Sequence, residues 1–197
     1  MTRQTNTPLE KLKLSTGNRL AREIARSFSE LDLDLNPPYQ RGPKWTEDQQ
    51  VALVRSWLIG APTGVVILND RFTTEWSNAN NYDPAEYNEP TYACIDGQQR
   101  IRAAHHWFND KLAVPASWFP SEYVERKEET DDGPYVRWSG LTLVGQRKFD
   151  NKAMLTVATA HAATIREEAE TYILVNGGGT PQTEDDMKNA ARVAAQG

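Results

Sequence analysis

The chain has 197 residues, with 22 Lys and Arg against 27 Asp and Glu and a formal net charge of −5, which excludes a histone-like coat of positive charge and leaves only local basic patches for nucleic acid. One cysteine excludes an internal disulfide framework and any multi-cysteine zinc module. No apolar run approaches the roughly 20 residues of a membrane span, so the expectation is a cytoplasmic chain, off the membrane, with room for one domain over residues 1–197.

Residues 1–15 read as a flexible tail. Leu20, Ile24, Ala25, Phe28 and Leu31 fall at spacings of three and four, which predicts a helix over 18–31. Asn36-Pro37-Pro38 ends it, since neither proline has an N–H to donate. Thr46 and Gln49 form a capping-box pattern before Val51, Val54, Trp57 and Leu58, and Gly60-Ala61-Pro62 closes that second helix. The β-branched run 65–68 predicts a buried strand. Residues 69–90 are polar, carry Trp76, Tyr82 and Tyr87, and show no period; they read as an insertion with its own hairpin or as a mobile lid.

A strand over 91–95 and a helix over 98–109 follow, the helix with Ile101, Ala104, His105 and Phe108 inward. Residues 122–133 form a solvated charge cluster, 135–144 have weak strand character, and 155–159 suit a further strand. Thr164 with Glu167 caps a helix through Ile165, Ala169, Tyr172 and Ile173. Residues 176–181 read as a glycine loop, and Thr183 with Asp186 opens a last helix through Met187, Ala190, Ala191 and Ala194. The fold class expected is mixed α/β (α+β), with more helix than strand and no internal repeat.

Three polar clusters sit at element boundaries, where binding residues concentrate. They are residues 38–45, the strand-to-helix junction 95–100, and the glycine loop 176–180. At the junction, Gly97 lets a ligand approach the backbone, and the first N–H groups of the following helix point outward with the positive end of its dipole behind them. Gln98, Gln99 and Arg100 add side-chain donors, Arg100 suits a phosphate, and Asp96 suits Mg²⁺ or a water. The same residues also read as a capped, solvated first turn. Arg41 and Lys44 beside Trp45 also read as a surface pair, and the glycines as a plain helix stop. His105 and His106 point about 100° apart on their helix and cannot chelate from one face. Cys94 reads as a small buried residue.

Pro38-Tyr39-Gln40-Arg41 followed by Trp45, then Asp96-Gly97-Gln98-Gln99-Arg100, then Asn176-Gly177-Gly178-Gly179-Thr180-Pro181, resemble in this order the N-terminal domain of GmrSD-type modification-dependent restriction enzymes. The resemblance spans residues 35–191 and implies a ParB/sulfiredoxin-like core: a small mixed sheet with surrounding helices. It further implies a domain that binds a nucleoside triphosphate with Mg²⁺ and hydrolyses it while acting on DNA, in phage defence or a phage counterpart. Carried onto this chain, it makes Asp96, Gln98, Gln99 and Arg100 catalytic, with Asp96 as metal ligand. It assigns nucleotide binding to Gln40, Arg41, Gly97, Arg100, Asn176, Gly178 and Thr180. Leu174 departs from the pattern, since the family often has an arginine two residues before the motif asparagine. The chain also lacks the length for an appended nuclease domain, so the expectation is that cleavage of DNA either needs a separate nuclease subunit as partner or belongs to this domain itself. The rival readings are a kinase of the same fold and a non-catalytic DNA-associated regulator or inhibitor.

Overall fold

The protein's structure, a computed structural model, describes residues 11–40, 42, 44–81, 83, 86, 88–177 and 184–195. Five strands form a mixed sheet in the order β1-β8-β3-β4-β2. These are β1 (Leu14–Leu20), β2 (Leu33–Asp34), β3 (Val65–Asp70), β4 (Tyr92–Asp96) and β8 (Met154–Ala160). β3 runs parallel to β8 and antiparallel to β4, β2 is parallel to β4, and β1 is antiparallel to β8. A small antiparallel sheet, in the order β5-β7-β6, is built from β5 (Val114–Pro115), β6 (Glu128–Thr130) and β7 (Gly133–Val136).

The side-chain period of two gives the large sheet two buried faces. Val66, Leu68, Cys94, Leu155 and Val157 point to one side, onto α1 (Ala21–Ser29), α2 (Glu47–Ile59) and α4 (Gln98–Phe108). Ile67, Ile95, Ala158 and Ala160 point to the other, onto α6 (Ile165–Gly177) and α7 (Glu184–Ala194). A knot of rings, Trp107, Phe119, Trp138 and Phe149, joins α4 to the small sheet and to α5 (Leu143–Asp150). Among the described residues no helix is long and apolar enough to cross a membrane.

Local signals explain most of these elements. The Thr46 side chain accepts from the Gln49 amide at 3.4 Å while the Gln49 side chain accepts from the Thr46 amide at 3.0 Å, so the capping box forms. Gly60 ends α2 in the left-handed region at φ 72°.

Several expectations are corrected. Residues 18–20 are not helical: Leu14–Leu20, two of whose residues belong to the expected tail, pair with β8, and the helix starts at Ala21. Leu31 leaves the predicted stripe, 78% exposed at φ 62°. Residues 69–90 hold no described hairpin; β3 runs on to Asp70 and Thr73 caps α3 (Thr74–Asn80), with Trp76 buried. Tyr82 and Tyr87 lie outside the described residues. In α4, Trp107 fills the core, while His105 and Phe108 are only half-buried, because the apolar stripe is Ile101, Ala103, Ala104 and Trp107. The expected strand over 135–144 is a short strand, then a turn, then the start of α5, whose cap is Thr142 accepting from Gly145 N at 3.2 Å. Asn176 and Gly177, expected in a loop, belong to the last turn of α6.

Candidate functional site

β4 ends at Asp96, and α4 begins two residues later. Only glycine suits the residue between them. Gly97 stands at φ 93°, and a Cβ there would lie 2.8 Å from Val66 Cγ2 and 3.1 Å from Val66 Cα. The second contact is backbone and cannot yield. Gly97→Ala is therefore expected to lose about 1–3 kcal/mol of stability in urea titrations, and adding Val66→Ala is not expected to restore it. The Gly97 carbonyl accepts from the amides of Arg100 at 3.0 Å and Ile101 at 3.2 Å, which closes the first turn. The amides of Gln98 and Gln99 are thereby left at the positive end of the helix.

Three glutamines bind the surrounding chain to this junction. Gln40 Nε2 donates to the carbonyls of Cys94 at 3.1 Å and Ile95 at 2.7 Å, holding the 37–40 turn on the end of β4. Gln98, 4% exposed, donates to the Leu35 carbonyl and accepts from Gln99 Nε2 at 3.0 Å. Gln99 Oε1 accepts from the amides of Lys44 at 3.1 Å and Trp45 at 3.3 Å. These side chains shape the walls through backbone bonds, a role that their positions in the sequence do not disclose.

The result is a cavity of about 250 Å³, walled by Gln40, Lys44 and Trp45, by residues 96–100, and by Tyr172 from α6. The charged groups among its described walls are Arg100, Lys44 and Asp96, an excess of one cation there in a chain of net charge −5. Arg100 Nη1 donates to the Val65 carbonyl at 3.2 Å and lies 3.9 Å from Asp96 Oδ2. The guanidinium fits because residue 64 is glycine, where a Cβ would come within 2.8 Å of Nη2.

Of the residues singled out from sequence, Gln40, Asp96, Gly97, Gln98, Gln99 and Arg100 line one cavity. Asn176 is not among its described walls; its Nδ2 donates to the Tyr172 carbonyl one turn back at 2.9 Å. Arg41, Gly178 and Thr180 lie outside the described residues. Leu174 is 62% exposed and borders a different hollow beside residues 11–14 and 160–162. A leucine there therefore removes no cation from the described walls of the Asp96 cavity. His105 packs edge-on against Phe28, His106 Nδ1 lies 2.7 Å from Gln50 Oε1, and no group of three His, Cys, Asp or Glu among the described residues could hold a metal ion.

Sequence reasoning missed Tyr172, and it missed the network behind it. Arg71 makes a two-pronged pair with the fully buried Glu168, at 2.8 Å and 2.7 Å, while Asn69 and Tyr39 donate to the same carboxylate at 2.8 Å and 3.1 Å. One signal was available: Glu168 precedes Tyr172 by four residues and so shares its inward face. Tyr39, adjacent to Gln40, ties this network to the cavity wall.

Burial, reinforced by the Glu168 carboxylate, pushes the Tyr39 phenol well above its usual range, and burial likewise raises the Cys94 thiol. Both groups keep their protons in the folded protein where the unfolded chain releases them, from about pH 8.5 for Cys and 10 for Tyr. Their contribution is complete below about pH 8.5 and is lost as pH rises beyond it. Urea midpoints are expected to fall above that pH, and Cys94→Ala is expected to flatten the first part of the decline.

No curated protein and no solved structure matches the chain. A family model, that of the GmrSD restriction endonuclease N-terminal domain, matches residues 22–192, which take in the Gln40 turn, the β4–α4 junction and α6. With most of its length so matched, the chain belongs to the family of GmrSD restriction endonuclease N-terminal domains.

Proposed function

We propose that the chain binds the phosphates of a nucleoside triphosphate in the cavity at the β4–α4 junction and hydrolyses it while acting on DNA, within a restriction system. The observation that carries this reading is that Arg100, Lys44 and the first residues of α4 line one hollow, with Asp96 the single carboxylate among its described walls. A volume of about 250 Å³ lies below the range of about 300–1,000 Å³ usual for whole drug-sized ligands. It suits the phosphate groups, with the nucleoside at the mouth.

Phosphoryl transfer needs positioning and charge neutralisation more than an unusual side chain. In this reading Arg100 and Lys44 offset the phosphate charge, and the Gln98 and Gln99 amides cradle a phosphate oxygen. Asp96 accepts the proton of the attacking water or contributes one ligand to Mg²⁺. The donor set fits that ion only as one shared with the substrate, since Mg²⁺ takes one or two carboxylates together with phosphate oxygens. Bound there, it would neutralise charge on the bridging oxygens. Gln40, Gln98 and Gln99 hold the walls in place. Arg41, Gly178 and Thr180 enter through the family resemblance, as do a ParB/sulfiredoxin-like core and a separate nuclease subunit.

The test is phosphate release by the purified chain with Mg²⁺ and each of the four nucleoside triphosphates, with and without DNA. Release with at least one nucleotide is expected, as is its loss in Asp96→Asn without a change in thermal unfolding. Silence with every nucleotide under both conditions would sink the reading.

A further inference from the structure

We propose that the groove between the C-terminal end of α2 and α5 docks an acidic amphipathic helix of a partner protein. The groove has a volume of about 590 Å³ and shares no described wall residue with the Asp96 cavity.

Its chemistry is double. Leu58, Ile59, Trp118 and Phe119 supply an apolar floor, and Ile59 is 70% exposed. Val144, 53% exposed, lies one turn before Lys148 on the same side of α5. Arg55, Lys148 and Lys152 stand around it, and no carboxylate is among the described walls. Arg22, Arg71, Arg137 and Arg166 are paired, with Asp150, Glu168, Glu128 and Glu170. The side chains of Arg55, Lys148 and Lys152 have no ion-pair partner among the described residues. Three unpaired cations around exposed apolar surface, on a chain of net charge −5, ask for a partner that brings carboxylates and apolar side chains together.

A helix carries both at once, an apolar stripe at i, i+3, i+4 and i+7 with acidic residues on its flanks. The alternative occupant, single-stranded nucleic acid, needs open ring faces for its bases. Of the rings here, Phe119 and Phe149 are 7% and 2% exposed and each packs on Trp107, while Trp118 and Tyr123 are half-buried. The most exposed apolar side chain of the floor is aliphatic, Ile59 at 70%, which suits leucine-like side chains.

The experiment selects from a displayed library of random peptides about sixteen residues long, four to five helical turns, on the immobilised full chain. Selected peptides are expected to carry large apolar residues at helical spacing with Asp or Glu beside them. The tightest, made synthetically, is expected to shift amide signals of residues 55–59, 118–123 and 145–152 and to lose at least about tenfold in affinity for Lys148→Glu/Lys152→Glu. Ile59→Asp, which keeps those cations, is expected to weaken it as well. Thermal unfolding of each variant confirms the fold. The proposal is overturned if no acidic amphipathic class emerges, or if charge reversal leaves binding unchanged. It is equally overturned if an oligothymidine of matching length shifts the same signals while the peptides do not.

Discussion

Replacing Glu168 with alanine is expected to lower the unfolding free energy by about 3–5 kcal/mol, the range for removing one member of a buried ion pair. Measured as a urea midpoint at constant slope, this is a large fraction of the roughly 5–15 kcal/mol that holds a domain together. The size follows from what Glu168 satisfies. It is 0% exposed and accepts from Arg71 at two points, from Asn69 and from Tyr39. Burial alone would lower the Arg71 pKa, but the hydrogen bonds and charge of Glu168 outweigh that and hold its guanidinium firmly protonated. Without the carboxylate Arg71 loses its two-pronged pair and keeps the longer one with Asp34, at 3.5 Å, while Asn69 and Tyr39 each lose an acceptor. Glu168→Gln keeps an acceptor and should lose less than the alanine variant. The double variant Glu168→Leu/Arg71→Met should also lose less, because the buried guanidinium is removed together with the carboxylate. A loss below about 1 kcal/mol for Glu168→Ala would mean that the network stabilises little. The same carboxylate joins β3, α6 and the 37–40 turn, so its removal should also loosen Gln40 on the wall of the cavity.

What was legible in the sequence was local. The Thr46–Gln49 box, the Gly60 stop and the strand–glycine–helix junction at Gly97 depend on residues within a few positions of one another, and all three form. The elements that were missed depend on distant partners. β1 carries almost only exposed side chains and is held by its backbone ladder to β8, so no alternation announced it. The first two residues of α5, Leu143 and Val144, are exposed and mimic the start of a strand. Arg71 and Glu168 are 97 positions apart, and apart from the place of Glu168 on the face of Tyr172 nothing local marks them as a buried pair. The candidate site divides in the same way. The residues at its centre, Asp96 to Arg100, were visible as a junction. That Gln98 and Gln99 bond to each other and to backbone at Leu35, Lys44 and Trp45 follows only from the fold.

Arg100→Ala is expected to weaken binding of a nucleoside triphosphate with Mg²⁺ by about 1.5–3 kcal/mol, roughly 10- to 150-fold in Kd by calorimetry, the scale of a hydrogen bond to a charged group. Its present contacts leave capacity for an anion. One nitrogen donates to the Val65 carbonyl at 3.2 Å, and Asp96 stands at 3.9 Å, long for a strong pair, while a guanidinium has five N–H donors. Its partial burial, at 26% side-chain exposure, reduces screening by water and strengthens what it meets. Two further variants separate charge from placement. Arg100→Lys keeps the charge but loses the planar fork, so an intermediate loss is expected. Gly64→Ala keeps Arg100 whole but sets a methyl group 2.8 Å from the present place of Nη2, which must move; with thermal unfolding measured beside it for the strain of alanine at φ 80°, it too should weaken binding. Inorganic triphosphate isolates the phosphate contribution: Arg100→Ala should reduce its affinity by the same factor as for the nucleotide. If the nucleotide weakens and inorganic triphosphate does not, Arg100 serves the nucleoside, and the assignment of this cavity to phosphates fails.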